Sequence, residues 1–428
     1  MEKQQTDFST IESSSKPGNR LYHGWIIVAS FLISTIILYG TLQSFGVFFK
    51  SIENAFNLSR TTTSAVTSTN WIIGGTAAFL IGRALDKYGP KNIVLMMGVF
   101  TGVSLILAGQ TNAAWQLFIT YGVLLPLGTG AVYVVSSSTV SKWFDRRRGL
   151  ALGITGAGSG LGTIAIIPLA TFLITQYDWR AAYVILGIIA LMVIIPVSRL
   201  LKSDPSYASG SESFKQYLSY REGVPPDNIR KSVSIKKLFG SRNFWFTLTI
   251  FMLFGACLLF VYTHLVPHIT DMGFTPNDAA GILSVFGVAS IVGRIFGGGA
   301  ADKIGRKLTT VIVLLFQAGA LLWLTGAEEL WMLYVIAAII GFSYSGFSSS
   351  MGAYIGDIFG LSQIGTTFGL LEIGFATGAA AGPAIGGLIY DNRGSYYIAF
   401  LLFGIASVVI SLLVGCLKRE DKIAPAGI

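Results

Sequence analysis

The sequence predicts an all-α membrane protein of twelve transmembrane helices, built as two six-helix halves. Three observations carry this. Of 428 residues only 12% are charged and 52% are hydrophobic, with mean hydropathy +0.65, and apolar runs long enough to cross a bilayer recur along the chain. Lys and Arg gather in alternate loops, and the second half of the chain repeats the first. Spanning strands would be about ten residues long and alternating, so helices are the spanning element.

The elements follow in order. Residues 1–23 are polar and read as a cytoplasmic tail. They lack the basic start and short apolar core of a cleaved signal peptide, so the first span is permanent. The N-terminal half, 24–199, holds spans near 24–49, 62–82, 92–111, 115–141, 149–174 and 181–198. A cytoplasmic linker at 200–242 carries Pro205, Pro225 and Pro226 among Ser and charged residues. The C-terminal half, 243–417, holds spans near 243–268, 279–299, 308–326, 331–354, 365–389 and 395–417, and a cytoplasmic tail follows at 418–428.

The net charge of +9 first raises the question of nucleic acid. Its distribution answers otherwise. Of the 30 Lys and Arg, 25 lie in the N-terminus, alternate loops, linker and C-terminus, while the opposite face carries only Lys50, Arg60, Arg180 and Arg393. This is the positive-inside asymmetry, and it places both termini in the cytoplasm of a multi-pass plasma or inner membrane protein. The lipid bilayer, not nucleic acid, is the expected partner. Cys257 and Cys416 sit where apolar packing explains them, so neither a disulfide nor a metal site is read.

The duplication is legible in three places. GRALDKYGPK from Gly82 returns as GGAADKIGRK from Gly298, offset by 216 residues. Gly149 and Gly153 match Gly365 and Gly369 at the same offset, and Tyr177, Asp178, Arg180 and Tyr183 match Tyr390, Asp391, Arg393 and Tyr396. Two related halves around a central site suit an alternating-access carrier.

Two charges stand away from helix ends. Arg294 lies eight residues before Asp302, roughly 12 Å into the membrane at a rise of about 1.5 Å per residue. Glu372 lies about seven residues into the eleventh span. Intramembrane charges cost several kcal/mol and mark substrate or ion paths. One buried cation and one buried carboxylate imply a carrier for a small organic anion coupled to a proton, with no other cofactor. Arg294 can hold a carboxylate through paired N–H donors, and Ser290, one turn away, can add a hydrogen bond or simply pack. Tyr133 and Tyr344 lie in small-residue helix segments where a phenol can donate into a cavity.

The G-x-x-x-D-[RK]-x-G-x-[RK] loop after span two and its copy after span eight are the signature of the major facilitator superfamily, which this sequence resembles. HGWIIVASF from His23, YGTLQSFGVFFK ending at Lys50, KWFDRRRGLALGITGAGSGLG from Lys142 and GRIFGGGAADKIGRK from Gly293 are similar to the monocarboxylate porters and their relatives, the oxalate/formate antiporters. The resemblance implies that Arg294 binds the substrate carboxylate and that tyrosines of spans four and ten approach it. It also makes Lys50 an access or gating residue, although a snorkelling lysine fits equally. In the family an acidic residue often stands one turn before the arginine; here it is Ser290. Asp86 and Asp302 are expected to gate, capping a neighbouring helix N-terminus, rather than to touch substrate.

His264 and His268 read as interfacial, Asp271 and Asp278 as solvated loop charges, and the Gly378–Gly387 run as tight packing. The expected function is secondary transport of a small monocarboxylate such as lactate or pyruvate with a proton, by a carrier working as a monomer. An organic-anion exchanger of oxalate/formate type is the alternative and needs a second cation in the site. No nucleophile–base pair or metal set appears within the spans, so an enzyme is not expected.

Overall fold

The computed structural model describes residues 17–144, 148–202, 239–359 and 364–417, and over them it is helical throughout. The chain runs α1 (Pro17–Gln43), α2 (Phe45–Phe56), α3 (Arg60–Gly109), α4 (Ala114–Leu117), a π-helical stretch Phe118–Leu124, α5 (Leu125–Thr129), α6 (Val132–Trp143), α7 (Arg148–Gln176) and α8 (Trp179–Ser198). The second half follows with α9 (Arg242–Asp271), α10 (Pro276–Ile304), α11 (Arg306–Trp323), α12 (Leu330–Phe359), α13 (Ile364–Arg393) and α14 (Tyr397–Cys416). Most of the expected linker and both tails lie outside the described residues.

Among the described residues eleven helices are long and apolar enough to cross a membrane. The expected second span, 62–82, is not one of them, because Thr and Ser dilute the apolar content there. It is helical nonetheless and joins the next span through Gly89, whose φ of 74° and ψ of 164° break the helix just before Pro90. The expected fourth span is also broken. Pro126 brings no N–H to the ladder, and Gly128 and Gly130 press the chain onto the backbone of α3 at Met97 and Gly74.

The duplication extends to backbone geometry. Gly89 and Gly305, equivalent positions of the repeated loop, both have positive φ, 74° and 97°. It extends to packing as well. In the first half α1 packs on α7, the start of α3 on the π-helical stretch and α5, and the end of α3 on α8. In the second half α9 packs on α13, α10 on α12 and α11 on α14, the same three pairings. Buried apolar side chains accordingly form two clusters, one from residues 27–201 and one from 244–417 joined by Ile167.

Small residues draw these helices together, as expected where lipid removes the hydrophobic gain of helix association. In the Gly378–Gly387 run, Gly378 and Gly382 lie directly on the carbonyls of Met252 and Ala256 in α9. Gly387 lies on the Arg60 carbonyl of the other half, 2.7 Å from where its Cβ would stand. The halves meet along α3–α13, α7–α10 and α2–α9.

Gly305 has open space where a Cβ would stand, so its cost of substitution is backbone strain alone. Gly305→Ala is expected to lose about 1–3 kcal/mol, read as a lower thermal unfolding midpoint in detergent. Gly298→Ala, also in open space but helical, should leave the midpoint unchanged or raise it.

Candidate functional site

Arg294 is positioned by the glycines around it. Helix α10 starts from a capping box between Thr275 and Asp278 and then carries no charge except Arg294 until Asp302. Gly293 sits on the Phe342 carbonyl of α12, which fixes that face of the helix. The next residue is turned by about 100°, and its guanidinium lies over Gly156 of α7, where a Cβ would overlap Nη1. One turn along, a Cβ at Gly160 would stand 2.8 Å from Ser290 Oγ and 2.9 Å from the Gly287 carbonyl. Ser290 is buried, and its hydroxyl donates to Gly287 O at 2.8 Å. It therefore packs in the helix seam with its proton already committed.

Glu372 lies on the face of α13 that meets the other half. Four residues on, Ala376 stands 3.0 Å from the position of a Cβ on Gly75 of α3, and residues at i and i+4 share a face. Phe375 contacts Trp71 of α3 edge-on at 5.7 Å. The structure then gathers phenols around the two charges. Tyr133 of α6, Tyr344 of α12 and Tyr39 of α1 each lie within electrostatic reach of both Arg294 and Glu372. Tyr344 is held by ring contacts with Phe254 and Phe286 at 6.1 and 6.3 Å. Tyr262 of α9 lies within reach of Arg294 and Tyr344.

Among the described residues neither the Arg294 guanidinium nor the Glu372 carboxylate forms a hydrogen bond or an ion pair. An unpaired guanidinium with phenols of both halves in electrostatic reach has the chemistry to hold one small anion.

The other sequence-predicted residues fall elsewhere. Asp302 is exposed at the end of α10, and α11 starts at Gly305 without a side-chain cap, so Asp302 does not cap the helix that follows. Asp86 lies in α3, with its side chain outside the described residues. Lys50 lies at the opposite end of the bundle, in a 2.6 Å ion pair with Asp271.

That pair opens onto a network at the ends of α2, α3, α9 and α13. Arg60 is its hub, only 5% exposed. It reaches Asp271 Oδ2 at 2.7 Å, donates to Tyr396 Oη at 2.7 Å, and pairs with Glu53 at 3.2 Å. Its charge is balanced by the carboxylates of Asp271 and Glu53. Asp391 of the second half accepts from the Arg60 and Thr61 amides at 2.9 and 2.8 Å, capping α3 from across the interface. Its repeat equivalent Asp178 instead caps its own helix α8, accepting from Ala181 at 2.6 Å.

Asp271 and His264 correct the sequence reading. Asp271 is not a solvated loop charge, because Lys50 and Arg60 both bind it. His264 is fully buried rather than interfacial. Pro383 O, at 2.8 Å from Nε2, can only accept, so Nε2 carries the proton and Nδ1 accepts from Tyr396 at 2.9 Å. Nε2 also meets Ser64 Oγ of the first half at 3.1 Å. Tyr39, Tyr262, Arg60 and Gly156 were missed. The repeated Asp-x-Arg-x-x-Tyr at both half ends was the available signal for the network; a glycine that seats a guanidinium leaves none.

A family model described as Major Facilitator Superfamily matches residues 31–327 and again 266–427. This chain belongs to that superfamily. Its members are transporters, and so this is a transporter and not an enzyme. It is similar to monocarboxylate transporter 12 of Rattus norvegicus, 27% identical over 440 residues, covering 97% of this chain and 89% of the relative. Monocarboxylate transporter 13 of Bos taurus is 26% identical, covering 89% of this chain and 86% of the relative. Monocarboxylate transporter 11 of Homo sapiens is 25% identical, covering 91% and 81%.

Removing the Tyr396 hydroxyl leaves a buried guanidinium proton and a buried imidazole nitrogen unsatisfied. Tyr396→Phe is expected to cost about 1.5–3 kcal/mol, seen as a lower unfolding midpoint of this transporter in detergent. Tyr397→Phe, at an exposed ring, should not move it.

Proposed function

We propose that this transporter moves a small monocarboxylate, lactate- or pyruvate-like, together with a proton, by alternating access between its two halves. The observation that carries the proposal is Arg294, an unpaired guanidinium at mid-depth, seated on Gly156 of the other half with Tyr39, Tyr133 and Tyr344 in reach. The names of the similar proteins support the same substrate class. In this reading the stretch 62–82 is the second of twelve spans, both termini are cytoplasmic, and the carrier acts as a monomer in the plasma or inner membrane.

Arg294 binds the carboxylate through its N–H fork, and the tyrosine hydroxyls add neutral donors. Glu372 carries the coupling proton. Empty, the carrier holds Arg294⁺ and Glu372⁻; loaded, it holds Arg294⁺, the bound carboxylate and protonated Glu372. Both states are neutral and switch cheaply, whereas a carrier with only one of the two ligands buries an uncompensated charge. Asp86 and Asp302 serve gating at the loop end, and Lys50 at the other. A dianion exchanger would need a second cation beside Arg294. Among the described residues Glu372 stands in that cluster instead, which favours a monoanion.

The test is uptake into proteoliposomes of labelled lactate, pyruvate, formate, oxalate and benzoate, with and without an inward proton gradient. We expect gradient-dependent accumulation of a monocarboxylate, abolished in Arg294→Ala and severely reduced in Arg294→Lys, which lacks the fork. Oxalate uptake that needs an internal counter-anion and ignores the gradient would overturn the proposal. Glu372→Gln is expected to keep exchange and lose gradient-driven accumulation; unchanged accumulation would remove Glu372 from the scheme.

Gly156→Ala adds a methyl where Nη1 lies. The expected result is a raised KM by about tenfold, the equivalent of losing about 1.4 kcal/mol of carboxylate binding. Gly153→Ala, with open space at its Cβ, should leave KM unchanged.

A further inference from the structure

The π-helical stretch Phe118–Leu124 has a cause in the sequence. Pro126 brings no N–H, and in an α-helix its ring would press on the carbonyl four residues back, at Gly122. A π turn moves the ladder by one residue. The Leu125 amide donates to Thr120 O, five residues back, instead of to Tyr121 O. Tyr121 O then faces position 126, which has no proton to give. A buried carbonyl without a donor costs free energy, and here the donor comes from α3. Asn70, itself buried, donates from Nδ2 to Tyr121 O at 2.8 Å. Ser104 Oγ donates to the neighbouring Thr120 O at 2.7 Å, so α3 grips both carbonyls of the shifted turn.

The shift reaches the candidate site. Each residue turns a helix by about 100°, so one residue taken up by a π turn rotates everything after it by that much. Gly130 and Ala131 stay near helical geometry, at φ −63°, ψ −26° and φ −102°, ψ 7°. The Gly130 amide donates to Pro126 O and the Val135 amide to Ala131 O, so the register passes into α6. There Tyr133 is exposed and within electrostatic reach of Arg294 and Glu372, while Val132 is buried. In an all-α register Val132 would take the direction that Tyr133 has.

We propose that Pro126 and Asn70 are positioning residues: together they hold the fourth span in its π register, and that register aims Tyr133 at the Arg294–Glu372 cluster. The consequence for transport rests on the proposed function above, in which Tyr133 adds a donor to the bound carboxylate. The register itself does not.

The test removes both causes at once, with Asn70→Leu and Pro126→Ala in one full-length chain in detergent. Tyr133→Cys and Val132→Cys are introduced separately, treated with a water-soluble maleimide, and read by mass spectrometry of the peptide that holds them. In the π register the cysteine at position 133 labels and the one at 132 does not. The paired substitution is expected to lower labelling at 133 and raise it at 132, each several-fold. Unchanged labelling at both positions, in protein that keeps its unfolding midpoint, would overturn the proposal. Asn70→Ala with Pro126→Ala gives the same readout should leucine pack poorly. In uptake the paired substitution should raise KM several-fold at similar kcat, and adding Tyr133→Phe should raise it no further. A merely structural role would reduce the amount of folded carrier and leave KM alone. Labelling decides the register without any transport, whereas an unchanged KM in Tyr133→Phe counts only against the role of Tyr133 in the proposed function.

Discussion

A charge in the middle of a membrane is tolerated only if something neutralises it, and Arg294 has no partner among the described residues. Around that constraint the rest of the architecture falls into place. The helix that carries Arg294 is otherwise uncharged between Asp278 and Asp302, so no neighbour on it can supply the counter-charge. The phenols in reach are neutral donors that stabilise an anion without cancelling the cation. In the proposed mechanism ionised Glu372 balances Arg294 in the empty carrier, and the bound carboxylate takes over that role once Glu372 is protonated.

The second constraint is that the site belongs to neither half alone. Arg294, Tyr344 and Glu372 come from the second half; Tyr39, Tyr133 and the seat at Gly156 come from the first. Contact between halves runs from the Arg60 network through Gly387, Ser68 and Ala376 to the Gly156 and Gly160 crossings. At the loop end Gly153 and Gly369 meet nothing within 4 Å. Among the described residues the halves are locked at the Arg60 end. The lock is made of ion pairs and of one helix N-terminus capped in trans by Asp391, all of which water can replace.

What the sequence made legible is what composition and repetition encode. Spans appear as apolar runs, the duplication as GRALDKYGPK and GGAADKIGRK, and the intramembrane charges simply because they are rare. The paired positive φ of Gly89 and Gly305 follows from that repeat. What stayed hidden depends on which surfaces meet. Asp271 sits just past an apolar run like any loop acid, and only the apposition of α2 and α3 with α9 makes it a bridge. His264 follows the same logic, since its partners Ser64, Pro383 and Tyr396 are 200, 119 and 132 residues away. Tyr39 is one of 17 tyrosines, with nothing local to single it out. Ser290 shows the opposite limit: its place beside Arg294 was legible, but the carbonyl that takes up its hydroxyl was not.

The central claim is that the moving site carries no net charge, because the anion and the proton cross together. The most direct measurement is the current during substrate-driven transport in proteoliposomes adsorbed on a solid-supported membrane, at fixed pH on both sides. The account predicts substrate uptake with no transport current, and in Glu372→Gln neither net uptake nor current unless an internal anion is present for exchange. A sustained current in the unaltered protein, scaling with uptake, would contradict it.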